Sequence, residues 1–285
     1  MKLSPGDHTA RANDVQLSYT VRGEGPLLFV TSPGWGIASA YLQRGLAPLE
    51  KQFKLIFIDT RGSGKSARPT DATQMGSTVM ADDIDGLRRY LELDSIDLLG
   101  HSNGGTIAIA YAERHGASLR RLVLVSSQLL GFERGDVIRK FLDDAADDPR
   151  YRAAVPYHDA PVPKTDAAFR QWFGNLLPLY FHDPRKNQAA FEAAIGNPPS
   201  AWAFHAQKAA DQLPSADLVP RLGDIQATTL ILVGRHCWIC PVAVSEKLHA
   251  EIRNSSLVIF EQTGHFPWIE EPERFFPEVT RFLAA

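Results

Sequence analysis

Six short apolar runs punctuate the chain: PLLFVTS (26–32), FKLIFIDT (53–60), SIDLLGHS (95–102), RRLVLVSS (120–127), TTLILVG (228–234) and SSLVIFEQ (255–262). Each is rich in Val, Ile, Leu or Phe and is bounded by Gly, Pro, Ser or charge, as strands covered on both faces of a parallel sheet are. Between them the spacing turns helical. TVMADDIDGLRRYLEL (78–93) sets Val79, Ile84, Leu87, Tyr90 and Leu91 on one face and its Asp and Arg residues opposite. GGTIAIAYAERHG (104–116) begins small and apolar and ends on Gly116, a helix stop. Strands alternating with helices predict right-handed βαβ units and an α/β, doubly wound, mostly parallel sheet. VQLSYTVRGEGP (15–26) alternates polar and apolar and turns at Gly23–Gly25, which predicts antiparallel edge strands.

The alternation stops near residue 130 and resumes at Thr228. The stretch between holds helical runs such as FERGDVIRKFLDDA, DAAFRQWFGNLL and NQAAFEAAI. A helical cap over 130–221, inserted into a core of 1–129 and 222–285, is the simplest organisation, and 285 residues suffice for such a core without staples.

Charge and composition narrow the classes. Thirty basic residues against thirty-three acidic ones give a formal charge of −3, with no basic stripe, so nucleic acid is not an expected partner. No apolar run reaches the ~18 residues of a membrane span. MKLSPGDHTARAND lacks the apolar segment of a secretory signal, and two cysteines make no disulfide framework, so the expected location is cytoplasmic.

Ser102 sits in Gly100-His101-Ser102-Asn103-Gly104, a G-x-S-x-G pattern with an apolar strand before it and a small-residue helix after it. A serine on such a turn is held in a strained backbone, with its hydroxyl exposed at a helix N-terminus that favours a developing oxyanion. A connecting Gly-rich turn is the bland alternative, but the flanking elements favour a nucleophile. No Gly-Lys-Ser/Thr follows at phosphate-loop spacing.

With SPGWG (32–36), DTRGSGKS (59–66), GHSNGG (100–105) and TGHFPWIEEPERF (263–275), the chain resembles the α/β-hydrolase fold superfamily, in particular its proline iminopeptidase and carboxylesterase-like group. The resemblance spans nearly the whole core. It implies Ser102 as nucleophile, His265 as general base, and backbone N–H groups of Trp35 and Asn103 as oxyanion donors. It implies a small-molecule substrate and neither cofactor nor metal. Ser32-Pro33-Gly34 stands where many relatives carry His before the loop glycine.

The third triad member is the departure. Relatives read Gly-Arg-x-Asp-x-x-x-Pro after the penultimate core strand, whereas this chain reads Gly234-Arg235-His236-Cys237-Trp238-Ile239-Cys240-Pro241. Cys237 occupies the acid's place. Ser126, Ser127 and Gln128, at the alternative place after the strand that follows the elbow helix, are not acidic; Glu133 and Asp136 are the fallback carboxylates. A redox or zinc role for Cys237-x-x-Cys240 fits poorly. A redox dithiol should open a helix in a smaller domain, and structural zinc needs four ligands. Cys240 reads as a small buried apolar residue. Thiols are weak acceptors, so a slow hydrolase, or one needing little base strength, is expected.

Among the other histidines, His101 is expected to point away from the site. Cap aromatics Trp172, Phe173, Tyr180 and Trp202 are candidates to line a substrate pocket. The reading that results is a serine hydrolase cleaving a small ester, lactone or activated amide through an acyl-enzyme on Ser102. The alternatives are an iminopeptidase-like aminopeptidase using cap carboxylates (Glu133, Asp143, Asp144, Asp183 or Glu192), a cofactor-free lyase or C–C hydrolase, and a ligand-binding protein with weakened catalysis. The elbow GHSNGG, rather than GGSWG, weighs against the peptidase.

Overall fold

The apolar runs form the centre of one eight-stranded sheet in the computed structural model, which describes residues 2–196 and 199–285. Its strands are β1 (Gly6–Ala12), β2 (Val15–Arg22), β3 (Leu27–Thr31), β4 (Lys54–Asp59), β5 (Ile96–His101), β6 (Leu119–Val125), β7 (Thr228–Gly234) and β8 (Ser255–Phe260). They lie in the order β1-β2-β4-β3-β5-β6-β7-β8. From β4 to β8 every neighbour is parallel, while β1 and β2 join antiparallel.

The N-terminal pattern is realised differently from expectation. The Gly23–Gly25 turn does not connect hydrogen-bonded neighbours, because β2 pairs with β4. Its hairpin partner is β1, joined through Asn13 and Asp14, both at positive φ (46° and 67°). Two residues in that region make the tight hairpin turn whose twist matches the strands.

One face of the sheet is covered by helices Ser77–Tyr90, Asn103–His115 and Val242–Glu251, whose Ile84, Leu87, Ile107, Tyr111, Val244 and Leu248 enter a single core. The other face meets Ala40–Gly45 and Pro272–Ala284 through Leu42, Phe275, Val279 and Leu283. In Ser77–Tyr90 the acidic residues do not all face outward. Asp83 is 2% exposed and Tyr90 is 36% exposed. Asp83 turns inward because Arg61, from the loop after β4, meets it as a bidentate pair at 2.5 and 2.6 Å. Burial, partly opposed by Arg61, raises the Asp83 pKa to about 6.

Between β6 and β7 the described residues form helices and no strand: Gly135–Asp147, Val155–Asp159, Asp166–Leu176, Pro184–Ile195 and Ala201–Asp211, with short 3-10 turns. The first, third and fourth match the helical runs quoted from the sequence, and Val155–Asp159 and Ala201–Asp211 are further helices of the same stretch. The chain steps from β3 to β4 on one side and to β5 on the other, so the order reverses at β3–β5. Open α/β sheets bind ligands beyond the carboxyl ends of the strands at such a reversal.

Candidate active site

Ser102 stands at that reversal, between β5 and the helix Asn103–His115, with φ 58° and ψ −126°. This is left-handed, strained backbone for a residue with a Cβ. The turn is tight enough that a Cβ on Gly100 would come 2.2 Å from the Gly104 carbonyl oxygen. Glycine there is a steric requirement. Ser102 N–H donates to the Val125 carbonyl, and the Ser102 carbonyl accepts from Gln128 N–H, so β6 grips the turn from the side.

His265 lies in the loop between β8 and the turn Pro267–Glu270 and is 2% exposed. Its N–H donates to the Tyr180 carbonyl at 2.7 Å. Nδ1 lies 3.1 Å from Cys237 Sγ. The two loops can meet because β7 ends in Gly234, where a Cβ would stand 2.0 Å from the Gly264 carbonyl oxygen. His236 N–H donates to the Thr263 carbonyl and fastens the cysteine loop to the histidine loop. The two loops thus bring the Cys237 side chain against His265 Nδ1. Glu133 and Asp136 are exposed.

The electrostatics differ from those of a carboxylate-supported histidine. Burial, with a smaller contribution from His101, holds the His265 pKa well below its usual 6.5. Burial, and then Cys240, push the Cys237 thiol well above its usual 9.0. The resting pair is therefore neutral thiol and neutral imidazole.

His101 does not point away. Its Nε2 lies 3.0 Å from the His265 carbonyl oxygen and its Nδ1 2.9 Å from the Tyr41 hydroxyl. A carbonyl can only accept, so Nε2 carries the hydrogen and Nδ1 accepts from Tyr41. Burial keeps this ring neutral, its pKa lowered to about 3. His101 therefore braces the histidine loop against the elbow, and its ring centroid is 4.4 Å from that of His265. Strand alternation alone, which sets a residue's face, could have suggested its inward direction.

Ser102 and His265 line the same narrow cavity. No hydrogen bond joins their two side chains. On the core side the wall is Pro33, Trp35, Ile37, Tyr41 and Phe266. From the cap come Phe173, Tyr180, Phe191 and Ile195. Of the cap aromatics singled out in the sequence, Phe173 and Tyr180 line the cavity. Trp172 packs on Phe169 and donates Nε1–H to the Tyr157 carbonyl, and Trp202 lies under the Arg68 guanidinium. Both belong to the scaffold of the cap rather than to the cavity wall. No Asp, Glu, Lys or Arg lines the cavity among the described residues. The five cap carboxylates considered above are absent from it; Asp183, for one, caps the helix Pro184–Ile195.

Of the two expected oxyanion donors, Asn103 is the first residue of its helix, so its N–H has no intrahelical acceptor. Trp35, at φ 54°, donates its N–H to Gln207 Oε1 at 2.7 Å. Gln207, on the helix Ala201–Asp211, is fully buried and passes the chain on through Nε2 to Ser77 Oγ. The Trp35 amide is thus engaged by the cap rather than open.

A family model described as alpha/beta hydrolase fold matches residues 28–272. The chain is 31% identical over 263 residues to the 2-hydroxymuconate semialdehyde hydrolase of Pseudomonas sp. (strain CF600), across 91% of this chain and 87% of that relative. It is 26% identical over 278 residues to a proline iminopeptidase of Saccharolobus solfataricus, across 93% of this chain and 87% of that protein. Among solved structures, an esterase from Exiguobacterium antarcticum superposes with a TM-score of 0.74 at 25% identity, across 99% of this chain and 100% of that one.

Proposed function

The chain belongs to the alpha/beta hydrolase fold family, and from that premise we propose that it is a serine hydrolase cleaving small, uncharged esters or lactones through an acyl-enzyme on Ser102. The observation that carries this reading is the strained Ser102 turn opening into the same cavity as a buried imidazole whose Nδ1 is already held. Substrate entering the cavity brings the Ser102 hydroxyl to His265. Oγ attacks the carbonyl carbon as Nε2 takes its proton, and the imidazolium returns that proton to the leaving alcohol. Water then attacks the acyl-enzyme by the same route in reverse. Asn103 N–H receives the developing oxyanion, and Trp35 N–H joins it by exchanging Gln207 Oε1 for the substrate oxygen.

The apolar wall sets the substrate class. An aminopeptidase substrate brings a free ammonium group, and burying that without a carboxylate partner costs several kcal/mol. The cavity offers none. The test is hydrolysis of a short-chain aryl ester together with labelling by a fluorophosphonate. Turnover and labelling that both vanish in Ser102→Ala are expected; an equally active Ser102→Ala enzyme overturns the reading.

The similarity to a 2-hydroxymuconate semialdehyde hydrolase favours one second reading, hydrolysis of a C–C bond beside a carbonyl. In that case Ser102 and His265 move protons only. The true substrate is then consumed by an enzyme that the fluorophosphonate does not label.

A further inference from the structure

Hydrolysis of an uncharged ester creates a charge where there was none. The acid released from the acyl-enzyme loses its proton near neutral pH and becomes a carboxylate. Among the described residues the apolar cavity offers it no Lys or Arg, and an unpaired carboxylate in such surroundings is strongly disfavoured.

The cations stand next door. A second cleft, of about 310 Å³, shares Trp35 with the first, and Asn103, which directly follows Ser102, lines it. That volume is at the small end of ligand sites, which run from roughly 300 to 1,000 Å³. Leu130 and Phe204 supply an apolar side, while Arg134 and Lys208 bring two cations. Arg134 immediately precedes the cap helix Gly135–Asp147, and Lys208 belongs to Ala201–Asp211. We propose that this cleft is a carboxylate subsite in which Arg134, assisted by Lys208, binds the acid product of hydrolysis. The identity of the ligand as product rests on the serine-hydrolase reading above; the subsite itself does not.

Arg134 carries the inference. Its side chain makes no hydrogen bond among the described residues, and its Nη1 is buried without an acceptor. None of the ion pairs among those residues includes Arg134 or Lys208. Two other cap arginines behave differently: Arg139 holds Asp159 at 3.0 Å and Arg150 holds Asp148 at 2.7 Å. A guanidinium pressed partly into the protein with no acceptor is unfavourable until a ligand brings one. Its planar fork of N–H donors matches the two oxygens of a carboxylate.

The acids nearby do not fill that role. Asp211 is on the cleft wall, but its two oxygens are committed to Ser77, accepting from N–H and from Oγ, each at 2.7 Å. Glu133 and Asp136, close to Arg134 in sequence, are exposed and stand off the wall. Two cations against one acid leave the cleft with a positive balance.

The test is inhibition of aryl-butyrate hydrolysis by sodium butyrate at constant ionic strength. Butyrate should compete with the ester, and Arg134→Gln should raise its inhibition constant by about tenfold or more, as loss of a hydrogen bond to a charged group does. Lys208→Gln, at an exposed position, should raise it only about two- to threefold. Butyramide, which has the same shape without the charge, should inhibit the parent and Arg134→Gln alike. An unchanged butyrate constant in Arg134→Gln overturns the subsite, and so does an equal rise for butyramide, the mark of a general distortion. Inorganic phosphate competing as well as butyrate overturns the carboxylate assignment, and butyrate that inhibits without competing overturns the product assignment. Calorimetric titration of butyrate into Ser102→Ala, with and without Arg134→Gln, reads the same subsite in the absence of turnover. Arg134-dependent binding there, beside an equally active Ser102→Ala enzyme, would sink the nucleophile and leave the carboxylate subsite standing.

Discussion

Cys237 Sγ lies 3.1 Å from His265 Nδ1, and in the function proposed above that thiol is what orients the imidazole. Contact is retained, but charge is not: both groups are neutral at rest, and the imidazolium formed during turnover faces sulfur rather than a carboxylate. Cys237→Asp should therefore raise kcat/KM for an aryl ester by about 100-fold, part of the ~10⁴ attached to a proper triad acid. Steady-state kinetics decide it, and an unchanged or lower rate counts against the proposed role of Cys237.

The pH profile carries the same physics. Because burial holds the His265 pKa well below 6.5, the base stays unprotonated through neutral pH. The acid limb of kcat/KM should thus fall below pH 6.5 in the parent. A carboxylate favours the imidazolium, so Cys237→Asp should move that limb upward. Profiles taken from about pH 4 to 9 check both the position and the sign.

Substrate charge is the third handle. Among the described residues no Asp, Glu, Lys or Arg lines the cavity, so an uncharged butyrate ester should be preferred over a prolyl arylamide by about 100-fold in kcat/KM. Comparable rates would require an acidic contact that the cavity lacks.

Glu270 clasps the histidine loop to the cap. Its carboxylate accepts from the N–H groups of Gly264, His182 and Asp183 and from Asn187 Nδ2. Glu270→Ala strips the acceptor from all of them and should cost about 2 kcal/mol or more. Both kcat and the melting temperature should drop, while Glu270→Gln, which keeps one acceptor oxygen, should recover part of each.

Arg61 and Asp83 form a pair with side chains 3% exposed on both sides. Removing one partner strands a buried charge, so Arg61→Ala should destabilise by about 3–5 kcal/mol. Thermal unfolding should register this as a fall of roughly 10 °C, without a change in KM of the remaining folded enzyme.

What the sequence disclosed follows from how local each determinant is. Strands β3 to β7 were legible because well-covered strands are written as uninterrupted apolar runs, and β8, though a half-buried edge strand, carries such a run too. The Ser102 elbow was legible because its glycines are demanded by contacts within a few residues. β1 was not, since GDHTARA is an edge strand mostly open to solvent and has no apolar run to betray it. Asp83 was assigned outward because helical spacing treats every charge as solvated, and its partner Arg61 lies 22 residues away. The cap aromatics could not be sorted for a related reason. Phe173 faces the cavity while Trp172, its immediate neighbour, packs on Phe169, a distinction set by how cap helices cross rather than by composition. The engagement of the Trp35 amide by Gln207 joins residues 172 positions apart and left no trace in either segment.

The bracing around His265 also dictates traffic. Tyr41 and His101 pin the imidazole's loop to the elbow, and Glu270 together with the Tyr180 carbonyl pins it to the near side of the cap. Floor and near wall are consequently tied together by hydrogen bonds. In the proposed function, reactant and product then pass at the far rim, where Phe173 and Ile195 stand half-buried. Shortening either side chain would widen the doorway while leaving the proton-transfer machinery untouched.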